Sequence, residues 1–202
     1  MSTQKQIVMK KLSILIVLAA WVLPACNSNT KSNSSATTDS AAKDNTVVKD
    51  TSTKMVTTPE KEDVDFVAEA ASGGMTEVEL GKLAQEKAQN ARVKKFGAMM
   101  VMDHSKANDK LAALAKTKKI ALPTGPNASD QKVIDKLSKL SGKDFDKAYV
   151  DDMIDDHKND IKAFDNATKN CKDPDIKAFA TKTLPVLKAH LDAINAVHDS
   201  MK

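Results

Sequence analysis

Between Pro59 and the C-terminus, apolar and small residues recur every three or four positions in four long stretches. That spacing buries one face of an α-helix and does not suit a β-strand. The first stretch opens at Thr58-Pro59-Glu60, a cap residue followed by Pro and an acid, and runs to about Asn90. The second runs from Ala91 or Arg92 to Thr117, and the third from near Lys143 to near Lys169. The fourth opens at Asp173-Pro174, another cap-then-Pro signal, and reaches the end of the chain. With aromatics at 3%, the core must be aliphatic and Ala-rich. The stretch LPTGPNASDQKVIDKLSKLSG separates the second and third helices. Its PTGP breaks the pattern, and Ser129 is the expected cap of a short helix carrying Val133, Leu137 and Leu140. The spacing predicts an all-α four-helix bundle with short connections within each hairpin and a long one between helices 2 and 3.

At about 100° per residue, each long helix places one titratable residue at the centre of its apolar stripe. In the first, Glu77 falls among Phe66, Ala70, Gly73, Gly74, Leu80, Gly81, Ala84 and Ala88, with Glu79 facing the opposite way. His104 is central among Val93, Gly97, Met100, Val101, Leu111 and Ala115. His157 is central among Val150, Met153, Ile154, Ile161 and Phe164, and His190 among Phe179, Val186, Leu187, Ile194 and Val197. The lines MVMDHSKANDKL, from Met100, and MIDDHKNDIKAF, from Met153, deliver the same imidazole twice. A buried carboxylate or imidazole costs several kcal/mol unless it is paired or bound to a cation.

Glu77, His104, His157 and His190 are therefore candidate ligands of one metal. Three imidazoles and a carboxylate suit zinc, copper, iron or manganese, and do not suit calcium. The competing reading is a buried polar network in which the acids pair with the histidines. Asp103 and Asp156 each precede a histidine and lie about 100° around the helix from it, either orienting an imidazole or solvated. Asp160, about 60° from His157, is the best-placed extra carboxylate for a second metal. Met100 and Met153 stand one turn before a histidine, as core filling or as thioether ligands for copper(I). His198 should be exposed, Cys171 structurally neutral, and Pro185 should kink the last helix before His190. The runs Lys116–Lys119 and Asp151-Asp152 should be solvated.

Four stretches together resemble a bacterial envelope family labelled domain of unknown function 4142: GGMTEVELGKLA, FGAMMVMDHSKANDKL, LSGKDFDKAYVDDMIDDHKNDIKAF and TLPVLKAHLDAI. The resemblance covers about Asp63 to the C-terminus and implies a ferritin-like four-helix bundle, in proteins often described as outer-membrane proteins. It brings no settled activity. Di-iron sites of ferritin-like proteins use Glu-x-x-His on two helices. Here the residues three before His104, His157 and His190 are Val101, Ile154 and Leu187. Ferritin-like redox catalysis is thus unsupported, and a non-enzymatic role is expected.

At the other end, Lys10-Lys11 precedes LSILIVLAAWVL, an apolar run too short to span a bilayer. The ending Leu23-Pro24-Ala25-Cys26 resembles the lipobox of bacterial lipoproteins. The resemblance implies a signal peptide over residues 1–25 and a lipidated Cys26 that attaches the protein to a membrane. Asn27 after the cysteine resembles the pattern of outer-membrane delivery, which puts the domain in the periplasm. Residues 26–58, rich in Ser, Thr, Asn, Asp and Lys, bury almost nothing and read as a disordered tether to a domain over residues 59–202.

Removing residues 1–25, with Lys5, Lys10 and Lys11, takes the net charge from +4 to +1. With a single arginine, Arg92, the chain has no electrostatic footprint for nucleic acid. The membrane is the partner the sequence implies, and pairing of bundles into a homo-oligomer is compatible with it. Two functions remain: a membrane-tethered bundle that binds metal for buffering or stress protection, or a structural or interaction lipoprotein whose histidines form a polar network.

Overall fold

A computed structural model describes residues 59–202. The expected signal peptide, the lipidated Cys26, the tether and the Thr58 cap lie outside the described residues. The described chain is all-α, with five helices: α1 Lys61–Lys87, α2 Ala91–Lys118, α3 Ala128–Ser138, α4 Gly142–Asn170 and α5 Pro174–Asp199. No helix among the described residues is long and apolar enough to cross a membrane.

The chain pairs α1 with α2 and α4 with α5, and the two hairpins meet through α1 against α4 and α2 against α5. Two buried aspartates fix how they meet. Asp146, near the start of α4, accepts hydrogen bonds from the backbone N–H groups of Gln89 and Asn90, at 3.0 and 2.8 Å. Asp63, in the first turn of α1, accepts from those of Lys172 and Asp173, at 3.1 and 2.7 Å. Each carboxylate satisfies the orphan donors of the opposite hairpin's turn. The start of α1 thus sits at the end of α4, and the order is up, down, down, up. The long connection carries the chain back along the bundle, with α3 packed on α1 and touching α4. Its cap is Asn127 and not Ser129: the Asn127 side chain accepts from the N–H groups of Ser129 and Asp130. An amide oxygen satisfies two donors there, and Ser129 lies inside the first turn.

Within the first hairpin the backbones nearly touch. A Cβ added at Gly81 would lie 2.6 Å from the Gly97 carbonyl oxygen, and one at Gly97 would lie 2.6 Å from the Ala84 Cβ. Only glycine permits this approach.

Several expectations are corrected by packing. The first turns of α1 bury Val67 and Ala71, while Phe66 and Ala70 are half-buried on the flank. Ile134 joins Leu137 as the buried face of α3, with Val133 and Leu140 partly covered. Val186 is 41% exposed, because the stripe of α5 that faces the core passes through Leu187, His190, Ile194 and Val197. Cys171 is buried in the core as a free thiol. Lys118, expected in solvent, is half-buried and bridges Asp173 and Asp175 at 2.5 and 2.8 Å. His198 is half-exposed.

Candidate metal centre

Two apolar clusters fill the bundle. One holds Leu80, Val93, Phe96, Met100, Tyr149, Met153 and Ile194. The other holds Val67, Leu111, Phe164, Ile176 and Leu187. Along each long helix the titratable residue falls between members of the two clusters, so Glu77, His104, His157 and His190 form a polar layer across the core. All four are buried, Glu77 and His157 completely. Ring centroids of the three imidazoles are 5.3 to 6.1 Å apart. One nitrogen from each lies within 4.8 Å of one from each of the others.

Each imidazole has an acceptor near one nitrogen and no hydrogen-bond partner at the other. His157 Nδ1 donates to the Met153 carbonyl at 2.9 Å, leaving Nε2 without a hydrogen-bond partner. His190 Nε2 donates to the Asp103 carboxylate at 3.0 Å, leaving Nδ1 without one. His104 Nδ1 lies 2.6 Å from Glu77 Oε2, and its Nε2 is without a partner. Glu77 Oε1 is 3.3 Å from His157 Nε2. These two approaches are close but not aligned as hydrogen bonds, and both Glu77 oxygens stay unsatisfied. An acceptor on one nitrogen fixes the tautomer and turns the other lone pair inward, as in imidazoles that hold metals.

Burial controls protonation throughout the layer. It lowers the His104 pKa to about 4, opposed by Asp160 and Asp103. It lowers His157 to about 3, with the other two imidazoles adding to the effect. His190 is also lowered, chiefly by burial, with the Asp103 hydrogen bond opposing. The imidazoles are therefore neutral at pH 7, the form that donates a lone pair. Burial raises Glu77 well above the usual carboxylate range, and Asp130 and Asp152 push it further. Burial also raises Asp156 to about 9 and Asp160 to about 8, in both cases with the Glu77 charge next in size. A cation beside these acids would favour their charged form.

A cavity of about 20 Å³ lies beside Glu77, His104 and Asp160, between Gly74 and Leu187. It is large enough for one water molecule. A separate pocket of about 640 Å³ is lined by residues including Gln89, Lys143, His198 and Lys202 and includes none of the four central donors.

Asp103 reaches His190 across the α2–α5 seam. Asp156 offers an oxygen to the group formed by Glu77 and His157. Asp160 lines the cavity. Met100 and Met153 are fully buried in the neighbouring apolar cluster. Sequence reasoning missed Asp130, which accepts from the hydroxyls of Ser72 and Thr76 at 3.1 and 3.2 Å. No helical period reports on a residue brought in by the connection. It also missed Tyr149, the chain's single tyrosine, whose buried hydroxyl has no hydrogen-bond partner.

Solved structures share this architecture at low identity. A DUF305 fragment from Deinococcus radiodurans matches with TM-score 0.62 at 13% identity, over 70% of this chain and 97% of its own. CopM in the Cu(I)-bound form matches with TM-score 0.58 at 16% identity, over 69% and 96%. CopM in the Cu(II)-bound form matches with TM-score 0.59 at 15% identity, over 69% and 97%. These likenesses establish the fold. No functionally curated protein matches the chain. A family model described as domain of unknown function DUF4142 matches residues 33–197, reaching upstream of Asp63 into the segment read as a tether. The chain belongs to the DUF4142 family.

Proposed function

We propose that this protein binds one transition-metal ion inside the bundle, through His104, His157 and His190 with Glu77 as the fourth donor. On this reading it serves as a metal buffer or protective sink in the bacterial envelope. The observation that carries the reading is the set of three unpartnered imidazole nitrogens, one per ring, with the tautomers of His157 and His190 fixed by an acceptor at the other nitrogen and Glu77 lying beside the other nitrogen of His104. Three nitrogens and a carboxylate suit zinc, copper, iron or manganese. CopM, similar in fold, is known in copper-bound forms, and copper is the first metal to test. The up-down-down-up order with one long crossover supports the ferritin-like label, while the missing Glu-x-x-His pattern argues for binding without catalysis. The lipidated Cys26 would hold the bundle at the outer membrane, facing the periplasm.

The polar-network reading draws on the Asp103–His190 hydrogen bond, which needs no metal. Metal analysis separates the two. Tag-free protein loaded in turn with copper, zinc, iron and manganese should retain about one equivalent of at least one metal and melt higher with it. The double variant His104→Ala/His157→Ala should retain none. Retention that does not depend on these histidines, or no retention of any of the four metals, would leave the network reading.

A further inference from the structure

A second set of donors overlaps the three histidines. One oxygen each of Glu77 and Asp156 and one nitrogen of His157 lie within 4.8 Å of one another. Glu77 is fully buried, and neither of its oxygens has a hydrogen-bond partner; nor has His157 Nε2. His157 belongs to both sets, and because its Nδ1 is held by the Met153 carbonyl, Nε2 is the ring's one free donor. A single lone pair serves one ion at a time. The two sets also differ in chemistry. Asp152 and Asp160 flank Asp156 at i−4 and i+4 on the same side of α4, so oxygen dominates around this position. Carboxylate favours hard cations such as manganese(II), whereas imidazole favours copper and zinc.

We propose that Glu77, Asp156 and His157 form a second, oxygen-rich position for a hard divalent cation, and that the interior holds one ion in either of two places according to its softness. This rests on the three-imidazole position proposed above for one of the two places. It predicts exchange between metals without simultaneous occupancy.

The test is a titration of the full chain with manganese(II), followed by loss of the free ion's six-line paramagnetic resonance signal, then competition with copper(II). About one manganese should bind and be released as copper enters. Asp156→Asn should weaken manganese at least about tenfold and change copper by less than about threefold, and His190→Gln should do the reverse. Melting of both metal-free variants close to the parent shows that they fold. Copper and manganese held together on one chain would overturn the proposal, as would Asp156→Asn weakening both metals equally. Copper binding without any manganese binding would remove this position and leave the three-imidazole reading standing. Manganese binding through Asp156 without copper binding would remove the three-imidazole reading and the alternation with it.

Discussion

Replacing Glu77 with Gln separates a metal ligand from a structural ion pair. The two side chains have nearly the same shape, and Glu77 has no exposed surface. Burial raises its pKa well above the usual range and lowers those of His104 and His157. Burial thus favours the uncharged form of each of these groups in the metal-free protein. With the acid held in its uncharged form, a neutral amide in its place should change stability by less than about 1 kcal/mol, because no charge is lost. For a domain of this size that is about 2–4 °C in melting temperature. Were Glu77 instead a carboxylate paired with imidazolium rings, breaking the pair would cost about 3–5 kcal/mol and lower the melting temperature by more than about 6 °C. Metal reverses the emphasis. At a free concentration one hundred times its Kd, a metal stabilises the parent by about 2.7 kcal/mol. A loss of 10- to 100-fold in affinity leaves only about 0.4–1.4 kcal/mol of that stabilisation at the same concentration. The assay is calorimetric melting of parent and Glu77→Gln with and without copper. A large drop in the metal-free melting temperature, with an unchanged shift on adding copper, would refute the reasoning.

The metal-free protein should also lose stability as pH rises from 6.5 to 9. The histidines, with folded pKa values below 6.5, contribute fully above that value, whereas Asp160 and Asp156, raised to about 8 and about 9, lose their contribution as pH rises through those values. Melting temperatures across that range should fall, and Asp156→Asn should flatten the fall. Gly81→Ala should destabilise by about 1–3 kcal/mol in urea unfolding, since its Cβ would lie 2.6 Å from the Gly97 carbonyl. Asp146→Ala should cost about 1.5–3 kcal/mol, because Gln89 and Asn90 lose a charged acceptor, and hydrogen exchange at those two amides should speed up. Asp103→Ala should weaken copper binding by about 10- to 100-fold in a chelator competition, with His190 no longer held in one tautomer.

Most of the helical architecture is legible in the chain because 3.6 residues per turn assigns a face to every position. The same period puts Glu77, His104, His157 and His190 on inward faces, since each lies one or two turns from residues such as Leu80, Met100, Met153 and Ile194. Periodicity gives angle but no height. That the four groups share one layer depends on how far each helix slides past the next, and this is set by contacts distant in sequence. The Gly81–Gly97 approach fixes the first hairpin, and Asp63 and Asp146 tie each hairpin to the turn of the other.

The same distinction explains what the wheel misplaced. Val186 is exposed because no other element packs over it, and Lys118 is half-buried because the cap of α5 lies against it. Asp130 reaches α1 only through the path of the connection. The amino-acid sequence by itself determined the helices, their inward faces and the residue types available as donors. The tertiary structure alone decided which nitrogen of each imidazole stays free, and that Asp156 shares His157 with the other rings, because both depend on partners that no local period contains.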